Sequence, residues 1–211
     1  MKQARVSFPS GELFLEGILA IPEGAGPFPA VIVCHPHPLY GGSMDNNVVY
    51  SLFEALTQAS LASFKFNFRG VGGSQGEFGQ GIGEQEDVEA AISFISTVKG
   101  VNSKRIGLAG YSAGAGFALP VGLNDVRIKA MAAVSPPLSM FDFDFLKVCP
   151  KPKLLISGGR DNFTSADQFL EFCQNLPEPK EYESIEGADH FWWGYESRLA
   201  TKVTAFFIKV L

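Results

Sequence analysis

The sequence predicts an α/β fold: a doubly wound, mostly parallel sheet with helices on both faces. Short, continuously apolar runs indicate strands that are buried on both sides. Helical patterns alternate with these runs along the chain, as in βαβ units. At the N-terminus, residues 6–8 and 13–21 flank a Pro-Ser-Gly-Glu turn, which predicts an antiparallel hairpin. The 211 residues contain no repeat and no linker, so we expect one domain over residues 1–211.

The strands after the hairpin are expected where runs fit one of two patterns. Most runs are continuously apolar, as in central strands, whereas the run at 63–68 alternates phenylalanine with other residues. The last run is short and mixed. In chain order, the expected strands are residues 29–34, 63–68, 105–109, 130–134, 152–157 and 181–185.

The helices are expected between these strands. The first has asparagines available as N-caps, and the second has an acidic first turn and one apolar face. The third is made of small apolar residues, which suit close packing on a sheet. The expected helices are one that begins at Asn46 or Asn47, followed by residues 84–98, 115–119, 165–176 and 195–210.

Residues 110–114 read Gly-Tyr-Ser-Ala-Gly, a G-x-S-x-G motif between an expected strand and an expected helix. In that context the motif is typical of a nucleophile elbow, which presents the serine hydroxyl above the sheet. The two glycines remove side chains that would collide where strand and helix approach. We therefore expect Ser112 to be a nucleophile. A glycine-rich turn without chemistry is the alternative interpretation of the motif alone.

A serine nucleophile needs a base within hydrogen-bond reach and a carboxylate that orients the base. In this strand–helix order both partners follow the serine, acid first, and His190 is the one histidine after Ser112. Asp161 is the expected acid because it directly follows an expected strand. Its alternative role is to form a turn before the next helix. The other candidates lie in the aromatic segment 136–145, inside a helix or next to the histidine: Asp142, Asp144, Asp167 and Asp189.

The oxyanion of an acyl-transfer intermediate needs hydrogen-bond donors. The backbone N–H of Ala113 is one candidate. The other is His37, in the loop after the first central strand, with Leu39 and Tyr40 as alternatives. Pro36 and Pro38 in that loop have no N–H. Alternate residues on an extended segment point apart and no carboxylate cluster follows, so we expect no metal site here. His35 is expected to brace the loop by hydrogen bonding.

The composition excludes several classes of partner. A net charge of −5 and a pI near 5.2 give no electrostatic reason to bind nucleic acid or an anionic membrane. No apolar run approaches the roughly 20 residues of a membrane span, and the N-terminus lacks the pattern of a signal peptide. Three widely spaced cysteines predict reduced thiols and a cytoplasmic location. The oligomeric state stays open.

A glycine-rich loop begins at Arg69 and reads Arg-Gly-Val-Gly-Gly-Ser-Gln-Gly. It matches neither of the phosphate-binding glycine motifs. We expect the glycines to let the loop pass close under the active site, and Arg69 to pair with a carboxylate.

These motifs, in this order, resemble those of the α/β-hydrolase fold, and within it the small bacterial hydrolases without a full lid domain that are related to dienelactone hydrolases and short-chain carboxylesterases. The resemblance implies Ser112 as nucleophile, Asp161 as acid, His190 as base, an oxyanion hole from backbone amides and no cofactor. Two features depart from it, because dienelactone hydrolases use cysteine and many esterases have His-Gly where this chain has His35-Pro36. The resemblance rests on residues 35–38, 41–44, 66–72, 110–114, 159–161 and 188–191.

We therefore expect a serine esterase that acts on small carboxylic esters. The segment 135–151 is too short for a lid domain, but Phe141, Phe143 and Phe145 are expected to cover the site in part. Trp192 and Trp193 are candidates for a pocket wall, with the protein core as the alternative. A peptidase or amidase with the same triad, and a binding protein without activity, are the alternative functions.

Overall fold

An eight-stranded sheet runs through residues 2–211, the part of the chain that the computed structural model describes. Its strand order is β1-β2-β4-β3-β5-β6-β7-β8. The strand β2 pairs antiparallel with both β1 and β4, and all other pairs are parallel. The strands are β1 (Lys2–Ser10), β2 (Leu13–Ile21), β3 (Phe28–Cys34), β4 (Ala62–Phe66), β5 (Val101–Tyr111), β6 (Ile128–Val134), β7 (Lys153–Gly158) and β8 (Lys180–Ile185).

Five helices lie on the two faces of this sheet within the described residues. The first and the last pack on one face, and the other three pack on the opposite face. Each face of the sheet has its own apolar core. The helices are α1 (Asn47–Gln58), α2 (Ile82–Thr97), α3 (Ala113–Asn124), α4 (Ala166–Gln174) and α5 (Glu196–Val210). The doubly wound fold and the N-terminal antiparallel hairpin are confirmed. No described helix combines the length and the apolar composition that a membrane crossing requires.

Side-chain caps explain where the helices begin. The Asn46 side chain accepts a hydrogen bond from the Val48 amide at 3.0 Å, so Asn46 is the N-cap of α1. The helix α2 begins at Ile82, two residues earlier than predicted. Its Glu84 carboxylate reaches back and accepts the amides of Gly79 and Gly81 at 2.8 and 2.7 Å, which stabilises the extra residues.

The centre of the sheet positions the residues of interest. The strand β5 lies between β3 and β6, and Cys34 pairs with Gly110 in the parallel register. The carboxyl ends of parallel strands meet at one edge of a sheet, and ligands bind in the crevice there. The elbow, the loop after β3 and the loop after β7 therefore open at the same edge.

Candidate active site

Ser112 has a backbone conformation that few non-glycine residues adopt. Its φ of 54° and ψ of −125° place it between the end of β5 and the start of α3. A Cβ at Gly110 would lie 2.5 Å from the Ala115 Cα, and one at Gly114 would collide with the carbonyl oxygen of His35. The glycines are therefore required for the strand and the helix to meet at this angle, and the strained serine projects into the crevice.

The structure brings three predicted side chains into one hydrogen-bonded chain. The Ser112 Oγ lies 2.9 Å from His190 Nε2, and His190 Nδ1 lies 2.8 Å from Asp161 Oδ2. The His190 and Asp161 side chains are only 6% and 1% exposed. With Asp161 ionised, Nδ1–H donates to the carboxylate, and Nε2 is left to accept the serine hydroxyl.

The surroundings of Asp161 keep it ionised. Burial raises the pKa of this carboxyl, but four interactions together hold the pKa below its ordinary value. They are the hydrogen bond from His190, the positive charge of the protonated His190 ring, and hydrogen bonds from the Phe163 amide and the Ser135 hydroxyl. The Phe163 amide donates to Oδ1 at 2.9 Å and the Thr164 amide at 3.4 Å. Oδ2 is thereby directed towards the imidazole.

The other aspartates serve local roles. Asp189 Oδ1 accepts the amides of Phe191 and Trp192, both at 2.9 Å, and so shapes the turn after His190. Asp142 accepts the amide of Asp144 at 2.7 Å in an exposed turn. Asp167 is exposed in the first turn of α4. Among the described residues, Asp161 is the carboxylate that contacts His190.

The loop that carries His190 is held to the elbow from below. The buried Tyr111 hydroxyl, one residue before the serine, donates to the main-chain oxygen of His190 at 2.8 Å. The indole of Trp192 donates to Ser135 Oγ at 3.0 Å. The sequence pattern predicts no role for Tyr111, although its position inside the elbow motif is a signal that it contacts the loop of the candidate base.

The first turn of α3 faces the loop after β3. The Ala113 amide is among the helix's first N–H groups, which have no acceptor within the helix. Gly114 packs on the main-chain oxygens of Cys34 and His35. A Cβ at Gly42 would lie 2.7 Å from the main-chain oxygen of His37, so the loop folds back tightly on itself. The Ala113 amide and the His37 region thus lie on the same cavity as Ser112.

His35 braces this loop and is not a free ligand. Its Nε2 accepts the Phe68 amide at 3.0 Å, and its Nδ1–H donates to the Pro36 oxygen at 2.6 Å. Burial lowers the pKa of His35 to about 4, so the ring is neutral near pH 7.

Two residues near the end of β4 hold the loop farther along, at Met44. The Asn67 side chain accepts the Met44 amide at 2.8 Å, and Lys65 donates to the Met44 oxygen at 3.1 Å.

A cavity of about 280 Å³ opens above Ser112. Apolar and aromatic side chains form most of its wall, and no lining residue is an aspartate, glutamate, lysine or arginine. Its floor is the serine, the histidine and the start of α3. The lining residues are Pro36, His37, Tyr40, Gly41, Gly42, Asn46, Tyr111, Ser112, Ala113, Pro137, Met140, Phe141, Phe163, His190 and Phe191.

Comparison with known proteins assigns the family. A family model described as an alpha/beta hydrolase domain matches residues 30–204. The chain belongs to the α/β-hydrolase family. A protein of Rickettsia prowazekii is 37% identical to this α/β hydrolase over 172 residues, which are 78% of this chain and 72% of that protein.

Two solved structures extend the similarity over nearly the whole hydrolase domain. An alpha-beta serine hydrolase homologue from Coxiella burnetii is 32% identical, covers 97% of each chain and has a TM-score of 0.87. A serine hydrolase without lid from Xanthomonas campestris is 25% identical, covers 100% of this chain and 96% of its own, and has a TM-score of 0.88. The expected resemblance is confirmed.

The aromatic wall of this hydrolase differs in part from the expectation. Trp192 is fully buried in the core beneath the sheet edge, and Trp193 is 70% exposed and does not line the cavity. Phe163 and Phe191 flank the catalytic-candidate histidine instead, with ring centroids 4.3 and 5.6 Å from that of His190.

The segment between β6 and β7 covers the hydrolase site only at its edge. Phe141 lines the cavity as expected, together with Met140, but Phe143 and Phe145 pack on the core and are not part of the wall. The remainder of the segment forms a short 3₁₀ helix, Asp144–Val148. The described residues therefore contain no lid domain.

The glycine-rich loop is a structural support. Arg69 pairs with the fully buried Asp87, with its Nη2 2.8 Å from Oδ1, and Ser10 donates to the same oxygen at 2.7 Å. This arrangement agrees with the expected carboxylate partner, and Arg69 does not line the cavity.

Proposed function

We propose that this α/β hydrolase is a serine esterase that cleaves small, uncharged carboxylic esters. The observation that carries the proposal is the continuous hydrogen-bonded chain from Asp161 through His190 to Ser112, which ends on the floor of an open cavity. An elbow serine with such partners matches the requirements for nucleophilic acyl transfer.

In the proposed reaction, Ser112 Oγ attacks the ester carbonyl while His190 Nε2 takes the hydroxyl proton. The C=O electron pair moves onto the oxygen to form a tetrahedral intermediate. Collapse of the intermediate breaks the C–O bond, and His190 returns the proton to the leaving alcohol. Water then attacks the acyl-enzyme by the same route and releases the acid and free Ser112. Asp161 fixes the tautomer of the imidazole and stabilises its cationic form.

The oxyanion is proposed to lie between the main-chain N–H groups of Ala113 and His37. The N-terminus of α3 adds its partial positive charge at the same place. Loss of one such donor typically lowers kcat by about 100- to 1,000-fold.

The cavity supports small and uncharged substrates. A volume of about 280 Å³ fits a short acyl chain, and the wall offers no fixed charge to pair with an ionised substrate. The absence of a lid domain from residues 2–211 leaves the entrance open to solvent.

Turnover of p-nitrophenyl acetate and butyrate by the wild type and by Ser112→Ala tests the proposal. We expect the substitution to lower kcat by at least about 10⁴-fold without loss of fold. Peptide anilides serve as the competing substrate class, and faster cleavage of anilides than of esters would replace the esterase by an amidase. Equal ester hydrolysis by both proteins would contradict the proposed nucleophile.

A further inference from the structure

The imidazole of His37 has a fixed orientation that the hydrolase mechanism does not require. Its Nδ1 accepts the Leu39 amide at 3.2 Å, so the side chain caps the short 3₁₀ turn Pro38–Tyr40. The ring is held between aromatic neighbours, with centroids 4.7 Å from Tyr40, 4.9 Å from Phe78 and 6.2 Å from Phe117.

The cap determines the tautomer of His37. An imidazole nitrogen that accepts a hydrogen bond carries no proton, so in the neutral ring the proton is on Nε2. Burial lowers the pKa of His37, although the nearby Glu84 charge acts in the opposite direction, so the neutral form dominates near pH 7. Nε2 is therefore an N–H donor.

This donor has no acceptor within the described part of the protein. Within residues 2–211, Thr204 Oγ1 is the one buried side-chain polar atom without a hydrogen-bond partner. His37 Nε2 also has no hydrogen-bond partner among the described residues. Because it is not one of the buried unpaired atoms, it is accessible to solvent. His37 lines the cavity above Ser112. The His37 ring packs on Tyr40, which lines the same cavity, so a substrate in the cavity would lie beside this imidazole.

Few other side-chain donors lie in the wall. The Tyr111 hydroxyl donates to the main chain of His190, and the Asn46 side-chain oxygen caps α1, which leaves its NH₂ group without an acceptor among the described residues. Tyr40 is 79% exposed at the rim. Most of the remaining wall is carbon, so one fixed N–H donor there would discriminate between substrates according to their acceptors.

We propose that His37 Nε2–H donates a hydrogen bond to an oxygen in the substrate chain. The protein then prefers esters whose acyl or alcohol part carries an ether, hydroxyl or carbonyl oxygen over all-carbon isosteres. His37 is thus a specificity-determining residue, a role that rests on the proposed esterase function and is separate from the donation by its main-chain N–H.

Two isosteric substrate pairs test this role. The pair p-nitrophenyl methoxyacetate and butyrate places the oxygen in the acyl part, and the pair 2-methoxyethyl acetate and butyl acetate places it in the alcohol part. The measured quantity is the ratio of kcat/KM for the oxygen ester to that for the carbon ester. Comparison between proteins removes the intrinsic reactivity of the esters, and a ratio from one preparation does not depend on the fraction that is folded.

Two substitutions separate the cap from the donor. His37→Asn keeps an acceptor for the Leu39 amide, since asparagine is a favourable N-cap, but removes the group at the Nε2 position. His37→Gln carries an amide that reaches the Nε2 position. For the pair whose oxygen meets His37, we expect the ratio to fall about 2- to 10-fold in His37→Asn, as expected for one neutral hydrogen bond, and to recover towards wild type in His37→Gln.

Three results would overturn the proposal. Ratios for both pairs that are the same in His37→Asn and wild type would show that Nε2 does not contact the substrate. Equal loss in the Asn and Gln variants would assign the effect to ring packing. A wild type that hydrolyses none of the four esters would overturn the esterase function and this inference with it, whereas an active wild type with unchanged ratios overturns the inference alone.

Discussion

Asp161→Asn is expected to remove catalysis through the tautomer of His190. Two main-chain amides, those of Phe163 and Thr164, donate to Asp161 Oδ1, so the asparagine oxygen takes that position. The amide NH₂ then replaces Oδ2, which lies 2.8 Å from His190 Nδ1. Because NH₂ is a donor, Nδ1 must accept, and the imidazole proton moves to Nε2.

The changed tautomer prevents proton transfer from the Ser112 hydroxyl. Nε2–H would point at Ser112 Oγ, 2.9 Å away, and could no longer accept the hydroxyl proton. The expected fall in kcat is about 10⁴-fold, or about 5 kcal/mol of transition-state stabilisation. Both amide bonds to the side chain are kept, so the thermal midpoint should stay within about 4 °C of wild type.

The assay is steady-state hydrolysis of p-nitrophenyl acetate, with circular dichroism as the check of fold. Asp189→Asn is the matched control, because its Oδ1 accepts two amides that an asparagine oxygen also accepts. We expect its kcat to stay within about two-fold of wild type. A folded Asp161→Asn variant that keeps more than a tenth of the wild-type kcat would refute the reasoning. A loss of kcat greater than two-fold in Asp189→Asn would also refute it.

Three further predictions concern the loop after β3. Gly114→Ala would place a Cβ against the main-chain oxygens of Cys34 and His35, which cannot rotate away; we expect a loss of about 1–3 kcal/mol in unfolding free energy by urea titration and a lower kcat, and unchanged values would contradict the packing. Asn67→Leu leaves the buried Met44 amide unpaired and should lower unfolding free energy by about 1–3 kcal/mol, whereas wild-type stability would mean that the amide finds another acceptor. The pKa of His35 falls from 6.5 to about 4 on folding, so the unfolded chain binds more protons between these values and stability should drop as the pH falls through this window, by up to about 3 kcal/mol. His35→Gln removes this pH dependence, which urea titrations at pH 7 and pH 5 would reveal. An equal change in unfolding free energy between the two pH values in both proteins would contradict the buried neutral ring.

Much of the fold could be predicted because each pattern had a direct physical cause. Continuous apolar runs become the central strands, and Asn46 forms the cap its residue type favours. Boundaries shifted where polar residues extend an element. The strand β5 begins at Val101, four residues before the predicted start, because Val101 pairs with Phe28 of β3, and the polar residues 102–105 lie at an irregularity of the register before Ile106.

One part of the candidate site could be predicted from the sequence, and another part could not. Ser112, Asp161 and His190 could be predicted because chain order and strand ends decide which loops meet. The cavity wall could not be predicted, because neighbours in sequence need not point the same way. Trp192 has a φ of 64° and its indole turns inward to Ser135, while Phe191, one residue earlier, faces the cavity.

Labelling by a fluorophosphonate tests the central claim most directly, because such a probe bonds to an activated serine independently of substrate preference. We expect one label per wild-type chain, located at Ser112 by mass spectrometry of the peptides, and none in Ser112→Ala or in heat-unfolded wild type. His190→Ala should label far more slowly, since the hydroxyl proton then has no acceptor. An unlabelled, folded wild type, or a label at any other residue, would contradict Ser112 as the nucleophile.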